Sequence, residues 1–219
     1  MSQLILVLAN KNYSSWSVRP YFLLKQAGVP FDEIVVPLDR PDTRARLLEH
    51  SPAAKAPILK DGAITVWESL AICEYVAELF PERRLWPADR AQRAHARSIA
   101  NEMHAGFMPM RQTLQMNCRA RFALPPLADD VKDNIARLAG IWTDCRARYG
   151  QPGDAGFLFG AFSIADAMYV PVVSRFVTWG VVIAGAAKTY LETVRALPAY
   201  RAWEAEAAAE PWRIEKYER

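Results

Sequence analysis

The sequence predicts a compact α/β domain of about eighty residues followed by an all-α helical bundle. Three observations predict it. The first eighty residues alternate strand and helix signals, and an Asp-Gly pair between two apolar runs marks a hairpin among them. Beyond Ala91, apolar residues recur every three or four positions and strand signals are weak. The expected division is 1–80 and 91–219, with a Pro-containing, charged linker at 81–90.

In order, Leu4-Ile5-Leu6-Val7-Leu8 is a continuous apolar run, short enough for a strand buried on both faces. Ser14-Ser15-Trp16-Ser17 is rich in N-cap residue types and precedes a helix over Val18 to Ala27, closed by Gly28 where a C-cap belongs. Phe31 to Leu38 is β-branched and apolar and predicts a second strand; Thr43 to His50 predicts a short helix. Pro57 to Lys60 and Ala63 to Val66 flank Asp61-Gly62, a pair that supplies the positive φ of a type I′ turn. A third helix follows from about Glu68 to Phe80.

In the second part, Ala96, Ala100, Met103, Phe107, Met110 and Leu114 line one face of a long helix, with His104, Met108, Arg111 and Gln115 on the neighbouring stripe. Val131, Ile135, Leu138, Trp142, Cys145 and Tyr149 mark another helix. Ile164, Met168 and Val172 begin a third, and the alanine-rich Ala202 to Ala209 belongs to a last. Val181-Val182-Ile183 is a strand-like run within this part.

A chain of 219 residues, 52% hydrophobic and 23% charged, can bury a substantial core, which excludes a disordered tail or a disulfide-stapled mini-protein. Its 27 Lys+Arg and 24 Asp+Glu leave a net charge of +3, with the basic residues scattered, so nucleic acid is not an expected partner. Cys73, Cys118 and Cys145 form no C-x-x-C and have no His at ligand spacing, which points to reduced thiols and away from a metal site. Met1-Ser2-Gln3 carries no positive charge, and the run Leu4 to Ala9 is too short for a signal core or a membrane span. A soluble cytoplasmic protein is expected.

Three places could carry chemistry. Ser14 and Ser15 lie between a buried strand and a helix start, where N–H groups and the helix dipole favour negative charge; an ordinary N-cap is the commoner role of such serines. Ser51-Pro52-Ala53-Ala54-Lys55-Ala56-Pro57 leads into the hairpin. A trans Ala56-Pro57 bond is the ordinary form, while a cis bond would turn the Ala56 backbone outward to pair with an extended peptide. Glu68-Ser69 opens a helix, giving a hydroxyl and free N–H groups suited to a carboxylate, or simply a cap.

Together, Ser-Ser-Trp-Ser before Val18-Arg19-Pro20, Ser-Pro-Ala-Ala-Lys-Ala-Pro, and Glu-Ser-Leu-Ala-Ile-Cys-Glu-Tyr resemble the first domain of a cytosolic glutathione S-transferase of the serine-dependent kind, similar to the zeta and tau classes. The resemblance implies a thioredoxin-like N-terminal domain and an all-helical C-terminal one. Gly160 to Asp166 resembles that family's folding motif, in which Ser163 and Asp166 would form a capping box.

By the same resemblance, glutathione is the expected co-substrate. Ser14 is the implied catalytic residue, its hydroxyl favouring thiolate over thiol, with Ser15 as the fallback. Ala56, beside a cis Pro57, would pair through its backbone with the cysteinyl unit. Glu68 and Ser69 would hold the γ-glutamyl end, and Lys55 would meet the glycyl carboxylate, with Arg44 assisting. The electrophile would lie against His104, Met108 and Arg111, a stripe that plain packing and a solvated Arg would also explain, and Arg111 would favour an anionic or carbonyl-bearing substrate. A homodimer and a part in detoxification are implied as well. Trp16 stands where the zeta class has a cysteine, and Ala56 where a larger β-branched residue is usual. Alternatives are a glutathione-dependent cis–trans isomerase or lyase and a weakly catalytic ligand-binding protein.

Overall fold

A computed structural model describes residues 3–218. Met1 and Ser2, on which the expectation of no leader partly rests, and Arg219 lie outside the described residues. The apolar run forms strand β1 (Leu4–Leu8), in which Leu6, Val7 and Leu8 are wholly buried. Helix α1 (Val18–Ala27) ends at Gly28, whose left-handed φ of 66° lets the Val29 N–H reach back to the Leu24 carbonyl at 3.0 Å.

Strand β2 (Phe31–Val35) runs parallel to β1 and stops short of the predicted Leu38. Pro37 has no N–H to extend the ladder, and the Leu38 N–H is taken by Asn10 Oδ1 at 2.7 Å. Helix α2 (Thr43–Leu48) also ends before its predicted limit at His50, because the His50 and Ser51 N–H groups both close on the Leu47 carbonyl.

The hairpin is β3 (Ile58–Asp61) and β4 (Ile64–Trp67), followed by α3 (Ser69–Leu79). Asp61 pairs with Ile64, so the connecting residues are Gly62 and Ala63, one position later than predicted. Gly62 has a φ of 57° but Ala63 is not in the positive region, so this is not the expected type I′ turn. Tyr75 donates its hydroxyl to Asp61 at 2.7 Å, which helps hold Asp61 in the strand.

The sheet order is β2-β1-β3-β4, with β3 antiparallel to both β1 and β4. One face of the sheet, through Leu4, Leu6, Leu8 and Leu59, joins the large core built with α1 and α3. The other, through Val7 and Ile58, packs on Leu47 of α2. This is the thioredoxin-like arrangement.

After a 3-10 turn at Pro81–Arg83 the remaining principal elements are helices: α4 (Arg90–Ala105), α5 (Met108–Thr113), α6 (Asp129–Tyr149), α7 (Ile164–Thr178), α8 (Gly185–Ala196) and α9 (Pro198–Ala209). Asp89 caps α4 by accepting the Gln92 N–H at 2.8 Å. The capping box of α7 is present: Asp166 accepts from the Ser163 N–H at 2.8 Å and also from the Leu158 N–H at 3.0 Å. Helix α7 is buried on nearly every side and packs on α1, α4 and α8, so one apolar core spans both parts of the chain.

Two expectations for this part fail. The long helix through Leu114 breaks into α4 and α5, with Gly106 extended and Phe107 left-handed at φ 63°. Pro109, lacking an N–H, sits in the first turn of α5, where that group is not needed. The apolar stripe is nonetheless buried along its length, from Ala96 to Leu114. Val181-Val182-Ile183 forms no strand; Val182 is 91% exposed.

Candidate functional site

The loop joining β1 to α1 is buried apart from a half-exposed Trp16. The residue at the N-cap position of α1 is Ser17, not Ser14 or Ser15, so the capping alternative for those two does not hold. Ser14 Oγ lies 2.8 Å from Ser17 Oγ and accepts the Ser17 N–H at 3.3 Å. Ser17 Oγ accepts the Ala9 N–H at 3.0 Å, which ties the pair to the end of β1. Ser15 faces a different partner, Arg175 of α7, whose Nη2 donates to its hydroxyl at 3.2 Å.

Three cavities meet at Trp16. The first, about 270 Å³, is lined by Lys55, Ala56, Pro57, Trp67, Glu68 and Ser69. The second, about 460 Å³, carries Ser14, Arg44, Lys55 and Ala56. The third, about 370 Å³, lies between the sheet-containing part and the helices and is lined by Ser14, Ser15, Met108, Arg111, Arg175 and Tyr217, among others. Of the residues expected to bind glutathione or its co-substrate, all but His104 line one of these spaces. The Ala56-Pro57 bond is cis. No backbone hydrogen bond engages the Ala56 N–H or C=O among the described residues.

His104 stands apart because the helix breaks after it. Its Nε2 is 3.8 Å from the Glu68 carboxylate and its ring meets Trp16 edge-on at 5.3 Å. Met108 and Arg111 belong to α5 and face the third cavity instead. Burial, then the positive charge of Arg19, lowers the His104 pKa, which favours a neutral imidazole.

The electrostatics are set by three guanidinium groups. Arg19, wholly buried, donates to Ser69 Oγ at 3.3 Å and lies 4.4 Å from the Trp16 ring centroid. Arg111 lies 4.8 Å from that centroid and donates to the Met103 and His104 carbonyls, at the end of α4. Arg175 donates to the Arg111 and Leu114 carbonyls at 3.1 and 2.6 Å, at the end of α5. Cations are favoured at helix C-termini, which accounts for the tolerance of Arg111 and Arg175 here. None of the three has a carboxylate partner among the described residues. Burial pushes Arg111 down to about 10, and burial with repulsion from Arg111 pushes Arg175 down to about 9. Arg19 is lowered by the same two causes. Arg111 and Arg175 remain cationic near neutrality, so the side of Trp16 they face favours an anion.

The C-terminal segment folds back over the same loop. Glu210 accepts the Lys11 and Asn12 N–H groups at 2.6 and 3.1 Å. Tyr13 bonds through its hydroxyl to Glu218 and accepts the Ile214 N–H at 3.2 Å. The sequence reading missed Arg19, Arg175, Tyr13, Ser17 and Tyr217. Arg19 and Arg175 carry a usable signal, the one beside the run Pro20 to Leu24 and the other within the largely apolar stretch Met168 to Thr178; Tyr217 carries none, since its placement depends on the chain returning from far away.

A sequence profile described as the glutathione S-transferase N-terminal domain matches residues 13–79. A probable maleylacetoacetate isomerase of Caenorhabditis elegans is 38% identical over 96 residues, which is 44% of this chain and 44% of that protein. The chain therefore spans under half the length of that relative in the match. A probable glutathione S-transferase of rice, Oryza sativa subsp. japonica, is 27% identical over 205 residues, covering 90% of this chain and 89% of the relative. Among solved structures, a glutathione transferase homologue from Burkholderia with bound glutathione superposes with a TM-score of 0.69 at 23% identity, over 94% of this chain and 98% of that one. That likeness concerns the fold. The first-domain match, the near full-length rice relative and the shared two-part architecture make the chain similar to glutathione S-transferases, with residues 13–79 matching that family's N-terminal domain.

Proposed function

We propose that the protein is a glutathione transferase that holds glutathione around Trp16, stabilises its thiolate with Ser14 and joins it to an electrophile entering beside Met108 and Arg111. The observation that carries this reading is a shared wall. Lys55, Ala56, Pro57, Glu68 and Ser69 line one cavity, and its Trp16 wall also borders the two spaces that reach Ser14.

The donor set fits a tripeptide with two carboxylates and one ammonium. Lys55 is exposed and has no ion pair among the described residues, so it is available to the glycyl carboxylate, with Arg44 on the neighbouring wall. Glu68 offers a carboxylate to the γ-glutamyl ammonium. Ser69 and the first N–H groups of α3 suit that residue's carboxylate. Ala56 offers an unengaged N–H and C=O to the cysteinyl backbone.

Bound glutathione supplies the thiol sulfur that attacks the electrophilic carbon. An ordinary thiol has a pKa near ~8.5, and lowering it by about two units requires roughly 2.7 kcal/mol of preference for the thiolate. A hydroxyl donating to an anion contributes about 1.5 to 3 kcal/mol and a helix N-terminus about 0.3 to 1. The Ser14 hydroxyl near the start of α1 is therefore sufficient in magnitude, with the field of Arg111 and Arg175 acting in the same direction. Arg111 and Arg175 at the third cavity favour an anionic or carbonyl-bearing co-substrate.

The same reading includes a homodimer, with the first domain of one copy against the helical part of the other, a cytoplasmic location and a role in detoxification. The three cysteines are buried and unpaired, which suits a reducing compartment, and no helix among the described residues is long and apolar enough to cross a membrane. The turn at Pro81–Arg83 and the irregular stretch up to Asp89 support a division of the chain at 81–90. Sedimentation giving one monomeric species at micromolar concentration would defeat the dimer.

The deciding experiment is an ultraviolet difference titration of glutathione bound to the wild type and to Ser14→Ala, coupled to product analysis with an electrophile panel. A depressed thiol pKa that returns to normal in the variant, with stoichiometric consumption of glutathione, is expected. Bound glutathione with an ordinary pKa would overturn the transferase reading in favour of a ligand-binding protein. A second reading, a glutathione-dependent cis–trans isomerase, is favoured by the 38% likeness to a probable maleylacetoacetate isomerase; it predicts turnover in which glutathione is regenerated.

A further inference from the structure

Ser17 is wholly buried, so its hydroxyl has no access to solvent. Its Oγ accepts the Ala9 N–H, and the other polar atom bonded to it among the described residues is Ser14 Oγ, 2.8 Å away. Ser14 Oγ accepts the Ser17 N–H and opens onto two cavities. Hydroxyl protons rotate about the C–O bond, and a buried one requires an acceptor. Two arrangements therefore interconvert by rotation alone. In one, Ser14 donates inward to Ser17; in the other, Ser17 donates to Ser14 and Ser14 donates into the cavity. Only the second gives the Ser17 proton an acceptor.

We propose that Ser17 is a positioning residue for Ser14: an anionic sulfur selects the second arrangement, in which Ser17 donates to Ser14 Oγ and releases the Ser14 proton toward the sulfur. This rests on the reading of Ser14 as thiolate stabiliser. No covalent bond changes and each hydroxyl keeps its proton. Donation into Ser14 Oγ also polarises its O–H, strengthening the bond to the anion. Because Ser17 is anchored to Ala9 at the end of β1, the position of Ser14 Oγ is set by the sheet and α1 rather than by the loop alone.

The test compares Ser17→Ala, Ser17→Thr and Ser14→Ala by the thiol pKa of bound glutathione and by the Kd of S-methylglutathione, which has no thiol to ionise. Ser17→Ala is expected to raise the thiol pKa by about half a unit while the S-methylglutathione Kd stays at the wild-type value. Ser17→Thr, which keeps the hydroxyl, returns the pKa. Should Ser17→Ala not fold, Ser17→Cys, a weaker donor of similar size, takes its place with the same expected direction. A wild-type pKa in Ser17→Ala, with the depression abolished in Ser14→Ala, overturns the role of Ser17 alone. A depression that survives Ser14→Ala overturns the reading of Ser14 itself, and this inference with it.

Discussion

Arg175 Nη2 donates to Ser15 Oγ at 3.2 Å across 160 residues of sequence, and its other nitrogen closes the end of α5 on the Arg111 and Leu114 carbonyls. One guanidinium thus fastens the loop beside Ser14 to two helices of the second part. Arg175→Ala leaves three acceptors without their donor and is expected to lower stability by about 2 to 4 kcal/mol, read from urea unfolding. Ser15→Ala removes one partner only and should lose under about 1 kcal/mol. Equal losses in the two variants would mean that the Arg175 contacts to α5 contribute nothing.

Arg111 stands at the third cavity with two of its donors already committed to α4 carbonyls and its Nε buried and unbonded. Arg111→Ala should raise KM for a carboxylate-bearing electrophile by roughly tenfold, the size of a charge-assisted bond. KM for a neutral electrophile and the Kd for glutathione should stay near wild type. Unchanged kinetics across the panel would remove Arg111 from substrate selection.

Lys55 is exposed, so its contribution to glutathione affinity is open to screening by salt. Lys55→Ala is expected to weaken binding by about three- to tenfold at low ionic strength and by less at high. Glu68→Gln should weaken it with a smaller salt dependence, since it keeps a hydrogen-bonding group in place. Titration calorimetry at two salt concentrations checks both, and a Lys55 effect independent of salt would argue against a charge contact.

The bidentate Arg146–Asp154 pair gives the fold an acid-sensitive contact, at 2.9 Å for Nη2 to Oδ1. The hydrogen bond from Arg146 holds the Asp154 pKa down to about 2, below its unfolded value. A depressed carboxylate pKa stabilises the fold at pH above the unfolded value, and that stability is lost as pH falls toward about 2. Asp154→Asn should therefore be less stable by about 1 kcal/mol near neutrality and converge on the wild type in acid. Asp166 acts in the opposite sense, since burial raises it to about 6; its contribution is present at low pH and fades as pH rises through that value. Thermal midpoints across the acid range read both, and parallel curves for wild type and Asp154→Asn would exclude the assignment.

Much of the architecture was legible because it depends on local rules. Gly28, the apolar run of β1 and the Ser163–Asp166 capping box each announce themselves within a few residues. The break before α5 was also written in the chain, in Gly106 and Pro109, but the continuous apolar stripe spoke for a single helix. That stripe correctly marked buried positions without fixing the backbone between them. The turn residues slipped by one because Tyr75, fourteen positions away, draws on Asp61. For the site, the first-domain residues were singled out by their places at helix and strand starts and by the family resemblance, whereas Arg175 and Tyr217 were not, since only the tertiary fold brings them beside Ser14.

The anchoring of the Ser14 loop by the distal tail has a consequence for biosynthesis. The backbone N–H groups of Lys11 and Asn12 and the hydroxyl of Tyr13 wait for Glu210, Ile214 and Glu218, residues that leave the ribosome some two hundred positions later. A nascent chain can lay down its sheet early while this loop still lacks its last supports. Ordering of the loop thereby becomes a late checkpoint, passed only once translation has delivered the segment that braces it.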